Sequence, residues 1–216
     1  MEALAIKSIQ NNERRAIYGS EADVFTSIFD EQTCMAVWQR SHSKALQADI
    51  QSALTAANWR DVRLAAPSNT IADAISKQHH LGDALKDDVI LLADMLACLF
   101  DAEQIALRLA RAEQATCPRF HIDHIPARMI TTYTGVGTEW LENKYVSRQF
   151  LGRGNNGQPD EQSGLIKPDA TIQQLRASDV ALMKGEAWPK NEGLGFVHRS
   201  PNPQGNPRLM LTLDFA

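Results

Sequence analysis

The segment Phe120–His124 carries the residue types best suited to chemistry in this chain. On a strand, His121 and Asp123 point to the same face with Cα atoms about 6.6 Å apart, so an imidazole and a carboxylate can converge on one metal ion. His124 would then face the opposite way. A helix would instead pair His121 with His124, but Pro118 and Pro126 bracket the segment and disfavour it. Taken alone, the triplet also fits a polar surface strand.

A third ligand is available at His198, which ends the strand-like segment 195–198. Two imidazoles and one carboxylate on one face of an octahedron leave three positions open, as in non-haem Fe(II) oxygenases. Ten residues further on, Arg208 opens a strand, where its guanidinium can bind the far carboxylate of a 2-oxo acid. The alternatives are a capped loop histidine at position 198 and a simple salt bridge from Arg208.

The ordered set His121-x-Asp123, His198 and Arg208 resembles the Fe(II)/2-oxoglutarate-dependent oxygenase superfamily, over roughly residues 117–215. The resemblance implies a double-stranded β-helix in which the first three residues hold Fe(II) and Arg208 binds 2-oxoglutarate. That superfamily often has Arg-x-Ser at the cosubstrate site, whereas Met210 stands at the serine position here. The identity of the cosubstrate therefore stays open.

Thr131 and Tyr133 are further candidates for the wall of the cosubstrate pocket. Both share strand parity with Asp123 if Pro126 introduces no bulge, and Tyr133 could then donate a hydrogen bond to a bound acid. A slip of one residue would turn both side chains to the other face.

Four segments also resemble, in the same order, a bacterial family of unknown function. They are Cys117–His124, Thr132–Leu141, Leu182–Trp188 and His198–Pro201. This resemblance implies an association with zinc-responsive gene neighbourhoods and with GTPases of the metallochaperone type. It implies no established activity.

Cys117, four residues before His121, supplies an alternative to iron. Its thiolate could join the three other ligands in a closed tetrahedral Zn²⁺ site, in a non-catalytic protein of zinc homeostasis. The plainer interpretation is a small buried residue that leads into a strand. A third hypothesis is a β-helix without metal that serves as an interaction module.

The first half of the chain, residues 1–116, is predicted to be a helical region. Residues 23–57 contain neither glycine nor proline, and an apolar stripe from Val89 to Phe100 indicates a buried helix face. Asp101 and Gln104 have the spacing of a capping box, which predicts a further helix to about Gln114.

The second half, residues 117–216, is predicted to be β-rich. Its candidate strands are 119–134, 180–184, 195–198 and 208–215, and the last alternates cleanly between apolar and polar residues. The predicted fold class is α+β, with a double-stranded β-helix of the jelly-roll or cupin-like kind. The helical region is expected to pack on this metal-binding core as part of one compact unit.

The composition and charge of the chain exclude several classes of protein. The chain has 216 residues, a formal net charge of −4 and a pI near 5.9, which argues against a dedicated nucleic-acid binder. Three widely spaced cysteines are no disulfide framework, and no apolar run reaches the length of about 20 residues that spans a bilayer. We expect a cytoplasmic protein that acts on a small-molecule or protein substrate, without membrane or nucleic-acid partners. An apolar helix face is compatible with a homodimer.

Overall fold

The computed structural model describes residues 14–215, with ten strands and three α-helices. The strands are β1 Arg15–Gly19, β2 Thr33–Trp38, β3 Val62–Pro67, β4 Gln104–Ala112, β5 Ala127–Thr134, β6 Glu139–Trp140, β7 Gln173–Gln174, β8 Val180–Lys184, β9 His198–Arg199 and β10 Arg208–Phe215. The α-helices are α1 Lys44–Thr55, α2 Ser68–Ser76 and α3 Asp83–Phe100, and short 3₁₀ helices span Ala22–Phe29, Asn143–Tyr145, Arg148–Phe150 and Gly152–Asn155.

Seven of the strands form one large sheet in the order β1-β2-β8-β5-β10-β4-β3. The β1–β2 pair is parallel and the other neighbours are antiparallel. A second sheet has the order β7-β6-β9. The fold is therefore mixed α/β, built on a large sheet that takes strands from both halves of the chain.

Strand β10 lies between β5 and β4 in the large sheet, and its side chains point alternately to the two faces of the sheet. Leu209, Leu211 and Leu213 are buried in the core between the sheet and the helices. The alternate side chains, which include Met210 and Thr212, face a cavity on the other side of the sheet. The alternation predicted for residues 208–215 is confirmed, as are the bounds of the strand at 180–184.

Helix α3 provides the largest apolar surface that covers the sheet. Val89, Leu92 and Leu96 are completely buried along one side of it, as the stripe predicts. The helix begins at Asp83 and ends at Phe100, where Asp101 adopts the left-handed conformation (φ 49°) that stops it. None of the helices within residues 14–215 has the length and apolar character needed to cross a bilayer.

The predicted helical character of residues 1–116 is wrong over much of the described part, because β1 to β4 lie within it. The glycine-free stretch 23–57 divides into a 3₁₀ helix, the buried strand β2 and helix α1, whose N-terminus Ser43 caps by accepting a hydrogen bond from the amide of Leu46. The predicted helix from residue 101 to residue 114 is largely strand β4. Pairing with neighbouring strands overrides the intrinsic helix propensity of the residues in both places. Residues 1–13 of the predicted region lie outside the described residues.

The predicted strand 119–134 is shorter than expected, because regular pairing covers only β5. Residues 119–126 are irregular and are tied down by one antiparallel bridge, between His121 and His198. The predicted strand 195–198 likewise becomes β9, at His198–Arg199. The chemically interesting segment is therefore a loop fastened to the second sheet.

Candidate metal centre

His121, Asp123 and His198 come together at the edge of the second sheet. One ligand atom from each lies within 4.8 Å of the other two. The Nε2 atom of His121 is 3.7 Å from Oδ1 of Asp123, and Nε2 of His198 is 3.5 Å from Oδ2. Two imidazoles thus face one carboxylate, a donor set that can bind a divalent cation on one side.

Backbone and ring hydrogen bonds fix both histidines in this orientation. Their main chains exchange two hydrogen bonds, of 3.0 and 3.1 Å from each amide to the other's carbonyl oxygen. The Nδ1 atoms lie 2.9 Å from the carbonyl oxygen of Arg119 for His121 and 3.2 Å from that of Phe196 for His198. A ring that donates from Nδ1 presents the Nε2 lone pair, and such hydrogen bonds to the other ring nitrogen orient histidines that bind metals.

Burial favours the neutral form of the His198 imidazole. Its side chain is buried, and this burial lowers the pKa of His198 to about 4, against the opposing influence of Asp123. A neutral imidazole is the form that coordinates a metal.

Arg128 on β5 holds the carboxylate ligand in place, a residue that the sequence did not single out. Its Nη1 donates to Oδ2 of Asp123 at 3.1 Å, while Nε and Nη2 donate to both oxygens of Asp214 at 2.7 Å. Arg128 and Asp214 are direct partners across β5 and β10. Sequence reasoning could have found Arg128 through its pairing with Asp214, but that pairing can be recognised only when the register of the two strands is known.

Arg208 lies buried at the start of β10 and has no acidic partner among the described residues. Its Nη1 donates to Oγ of Ser200 at 2.6 Å and its Nη2 to Oγ1 of Thr132 at 3.3 Å, while Nε has no hydrogen-bond partner among the described residues. No carboxylate of residues 14–215 lies within 4.0 Å of the guanidinium. Burial lowers the pKa of Arg208 to about 10. Arg208 therefore forms no salt bridge within the described residues.

Two of the three candidate ligands, His121 and His198, line a cavity of about 520 Å³. Arg128, which contacts the third ligand Asp123, also lines it, as does Ser200, which contacts Arg208. The volume is within the range of small-molecule sites.

Comparison with known proteins places the chain in a family. The model of the family described as "Protein of unknown function (DUF1826)" matches residues 19–214. The chain belongs to this family. No curated protein sequence matches it.

The fold of this chain is similar to the folds of two dioxygenases of known structure. A dioxygenase for auxin oxidation from rice is 12% identical, with a TM-score of 0.54 over 94% of this chain and 83% of that one. The dioxygenase for auxin oxidation 1 from Arabidopsis thaliana, in a binary complex with 2-oxoglutarate, is 10% identical, with a TM-score of 0.50 over 94% and 92% of the two chains. At these identities the likeness concerns the fold.

Thr131 and Tyr133 lie on the opposite face of β5 from the one expected. Tyr133 belongs to the core under the helices, where its hydroxyl donates to Oδ2 of Asp88 at 2.7 Å. Thr131 is opposite Leu211 and Val180, which belong to the same core. The irregular turn before Ala127 resets the parity that starts at Asp123, so the two residues do not line the cavity.

Cys117 lines the cavity, but its thiol is no part of the ligand cluster. Among residues 14–215, the group of potential ligands within 4.8 Å of one another contains His121, Asp123 and His198 alone. The described structure thus contains no closed four-ligand site of the kind that zinc prefers.

Proposed function

We propose that this protein is a non-haem Fe(II)/2-oxoglutarate-dependent oxygenase of the hydroxylase type. The observation that carries the proposal is the cluster of His121, Asp123 and His198 beside a cavity whose wall includes Ser200, the contact of the buried Arg208. The similarity of the fold to dioxygenases supports it, because one of those was solved with 2-oxoglutarate.

The two sheets then form a double-stranded β-helix. In this interpretation β5, β8 and β10 belong to the large face, and β6, β7 and β9 form the small face. Residues 117–216 supply the metal-binding core, and the preceding part of the chain adds three helices and four further strands to the same compact unit.

The three clustered residues fit Fe(II) as a facial triad. The Nε2 atoms of both histidines already face the carboxylate, and His198 is neutral without any bound cation. Bound Fe(II) would supply the redox chemistry with dioxygen and a 2-oxo acid, with three coordination positions left for them. Arg128 holds Asp123 in place through its hydrogen bond, so the carboxylate does not rotate away from the histidines.

Arg208 and Ser200 would bind the far carboxylate of 2-oxoglutarate. Arg208 combines a fixed guanidinium with a buried Nε that has no partner in the described residues, as expected of a group that awaits an anion. Met210 has no hydroxyl group, but the hydroxyl of Ser200, directly after β9, contacts the Arg208 guanidinium at 2.6 Å. Ser200 would therefore take the place of the serine in the Arg-x-Ser pattern.

Anaerobic titration of the full chain with Fe(II) and then 2-oxoglutarate tests the proposal. We expect a metal-to-ligand charge-transfer band in the visible spectrum, which requires the acid to chelate iron in the site. His198→Ala should lose the iron, whereas Arg208→Met should keep it and lose the band at moderate acid concentration. Full iron occupancy by elemental analysis without any band would overturn the oxygenase assignment.

A further inference from the structure

The cavity has a second polar end, away from the three candidate ligands. Arg63 on β3 and Arg108 on β4 both line it and are direct cross-strand partners. Thr212 on β10 is the next residue in the same row, opposite Arg108. Three adjacent strands thus present two guanidinium groups and a hydroxyl to one side of the cavity.

The other cations of the cavity are matched by carboxylates. Arg128 contacts Asp123 and Asp214. Arg199 contacts Glu139 at 2.7 Å and Glu161 at 2.8 Å. These two guanidinium groups therefore add little free positive charge to the site.

The Arg63–Arg108 pair has only one carboxylate near it among the described residues, and that carboxylate is at the limit of contact. Among residues 14–215, no carboxylate lies within 4.0 Å of the Arg63 guanidinium. Asp61 is at the limit of contact with Arg108, 4.0 Å from Nη2, and it already accepts hydrogen bonds from Trp59 and the Arg111 amide. Nε of Arg108 is buried without a hydrogen-bond partner in the same part of the chain. Like charges directly opposite on a sheet destabilise it unless an anion lies between them.

We propose that Arg63 and Arg108, with the Thr212 hydroxyl, bind the acidic group of the substrate, a carboxylate or a phosphate ester. Both guanidinium groups have free donors for an oxyanion, and such hydrogen bonds are about twice as strong as neutral ones. The role as a substrate subsite rests on the proposed oxygenase function, whereas the binding of an anion does not.

The same geometry limits the size of the substrate. Strand β4, which carries Arg108, is two strand spacings or about 10 Å from β5, which carries Arg128, so the acid would be bound away from Arg128 and the Asp123 ligand that it contacts. Ile130 and Met210 line the cavity between the two ends. The site therefore fits a small molecule with an apolar body, an acid at one end and the reacting carbon at the other.

Fluorine NMR titration of the full chain in a chelating buffer tests the anion site directly. The probes are para-fluorophenylacetate, para-fluorophenyl phosphate and the neutral para-fluorophenylacetamide, at one fixed ionic strength. We expect at least one acid to bind about tenfold or more tightly than the amide. Arg63→Gln/Arg108→Gln should abolish this preference, whereas Arg153→Gln, an exposed arginine outside the cavity lining, should preserve it.

Two further variants locate the site and exclude a folding defect. Arg108→Lys keeps the charge and should retain part of the preference, and thermal unfolding should show that each variant is folded. Arg208→Met should leave the preference intact, because its guanidinium contacts Ser200 and Thr132 and does not line the cavity beside Arg63 and Arg108. Equal binding of acid and amide, a preference that survives in the double variant, or a preference lost only in Arg208→Met would each overturn the inference.

The outcome is separable from the test of the oxygenase. An anion preference that depends on Arg63 and Arg108, without a charge-transfer band for Fe(II) and 2-oxoglutarate, would support the anion site and remove the oxygenase function. The band without the preference would leave the oxygenase and remove the acidic substrate.

Discussion

Replacing Arg208 with Met separates a binding role from a structural one. The guanidinium is completely buried and makes two hydrogen bonds, to Ser200 and Thr132, with no carboxylate partner in the described chain. Removing one member of a buried ion pair costs about 3–5 kcal/mol, because the other charge is left uncompensated. No such charge would remain here, so the loss is limited to the two hydroxyl contacts.

The expected magnitudes differ sharply between stability and binding. The variant loses the hydrogen bonds to two hydroxyl groups, which destabilises the folded state by about 1–3 kcal/mol for each group. It also removes a buried charge whose desolvation costs several kcal/mol, which stabilises the folded state. We therefore expect the free energy of unfolding to stay within about 2 kcal/mol of the wild type. Two charge-assisted hydrogen bonds to a carboxylate contribute about 3–6 kcal/mol, so affinity for 2-oxoglutarate should fall by about a hundredfold to ten-thousandfold.

Urea denaturation without ligand and calorimetric titration of 2-oxoglutarate into the anaerobic Fe(II) form measure the two quantities. Arg153→Met, at an exposed position, is the matched control and should change neither. A loss of more than about 4 kcal/mol in unfolding free energy would refute the reasoning, since it would mean that Arg208 has a charged structural partner. Affinity within threefold of the wild type would refute the binding role.

Three other substitutions probe the rest of the site. Arg128→Met should weaken Fe(II) affinity about 10–100-fold in a chelator competition, because it frees the Asp123 carboxylate to rotate, and unchanged affinity would remove its positioning role. Cys117→Ser should leave Zn²⁺ and Fe(II) affinity within about twofold, and a tenfold loss would restore the zinc hypothesis. Tyr133→Phe should lower the free energy of unfolding by about 1–2 kcal/mol at pH 7 through loss of the hydrogen bond to Asp88. Burial and this carboxylate raise the pKa of Tyr133, so the phenol ionises in the unfolded state above about pH 10 while it is still protonated in the folded state. The free energy of unfolding of the wild type therefore declines above that pH. The difference between the wild type and Tyr133→Phe, measured by urea denaturation, should become smaller there.

Local periodicity was a good guide wherever one element buries one face. The alternation in β10 and the apolar stripe of α3 identified the side chains that pack in the core. The absence of Gly and Pro in residues 23–57 and the capping-box spacing at Asp101 predicted helices where β2 and β4 lie, because a strand buried within a sheet can have the composition of a helix. Only the pairing of β2 with β1 and β8 decides its conformation.

For the candidate site, the sequence by itself determined the residue types and their order: His121-x-Asp123, then His198, then Arg208 ten residues later. The tertiary structure alone decided which groups accompany them. The register across β5 and β10 pairs Arg128 with Asp214, and the irregular turn before Ala127 places Asp123 within reach of Arg128 and turns Tyr133 away from the cavity. Register and strand order depend on hydrogen bonds between segments distant in sequence, whereas the spacing of residues records only the face that each segment presents.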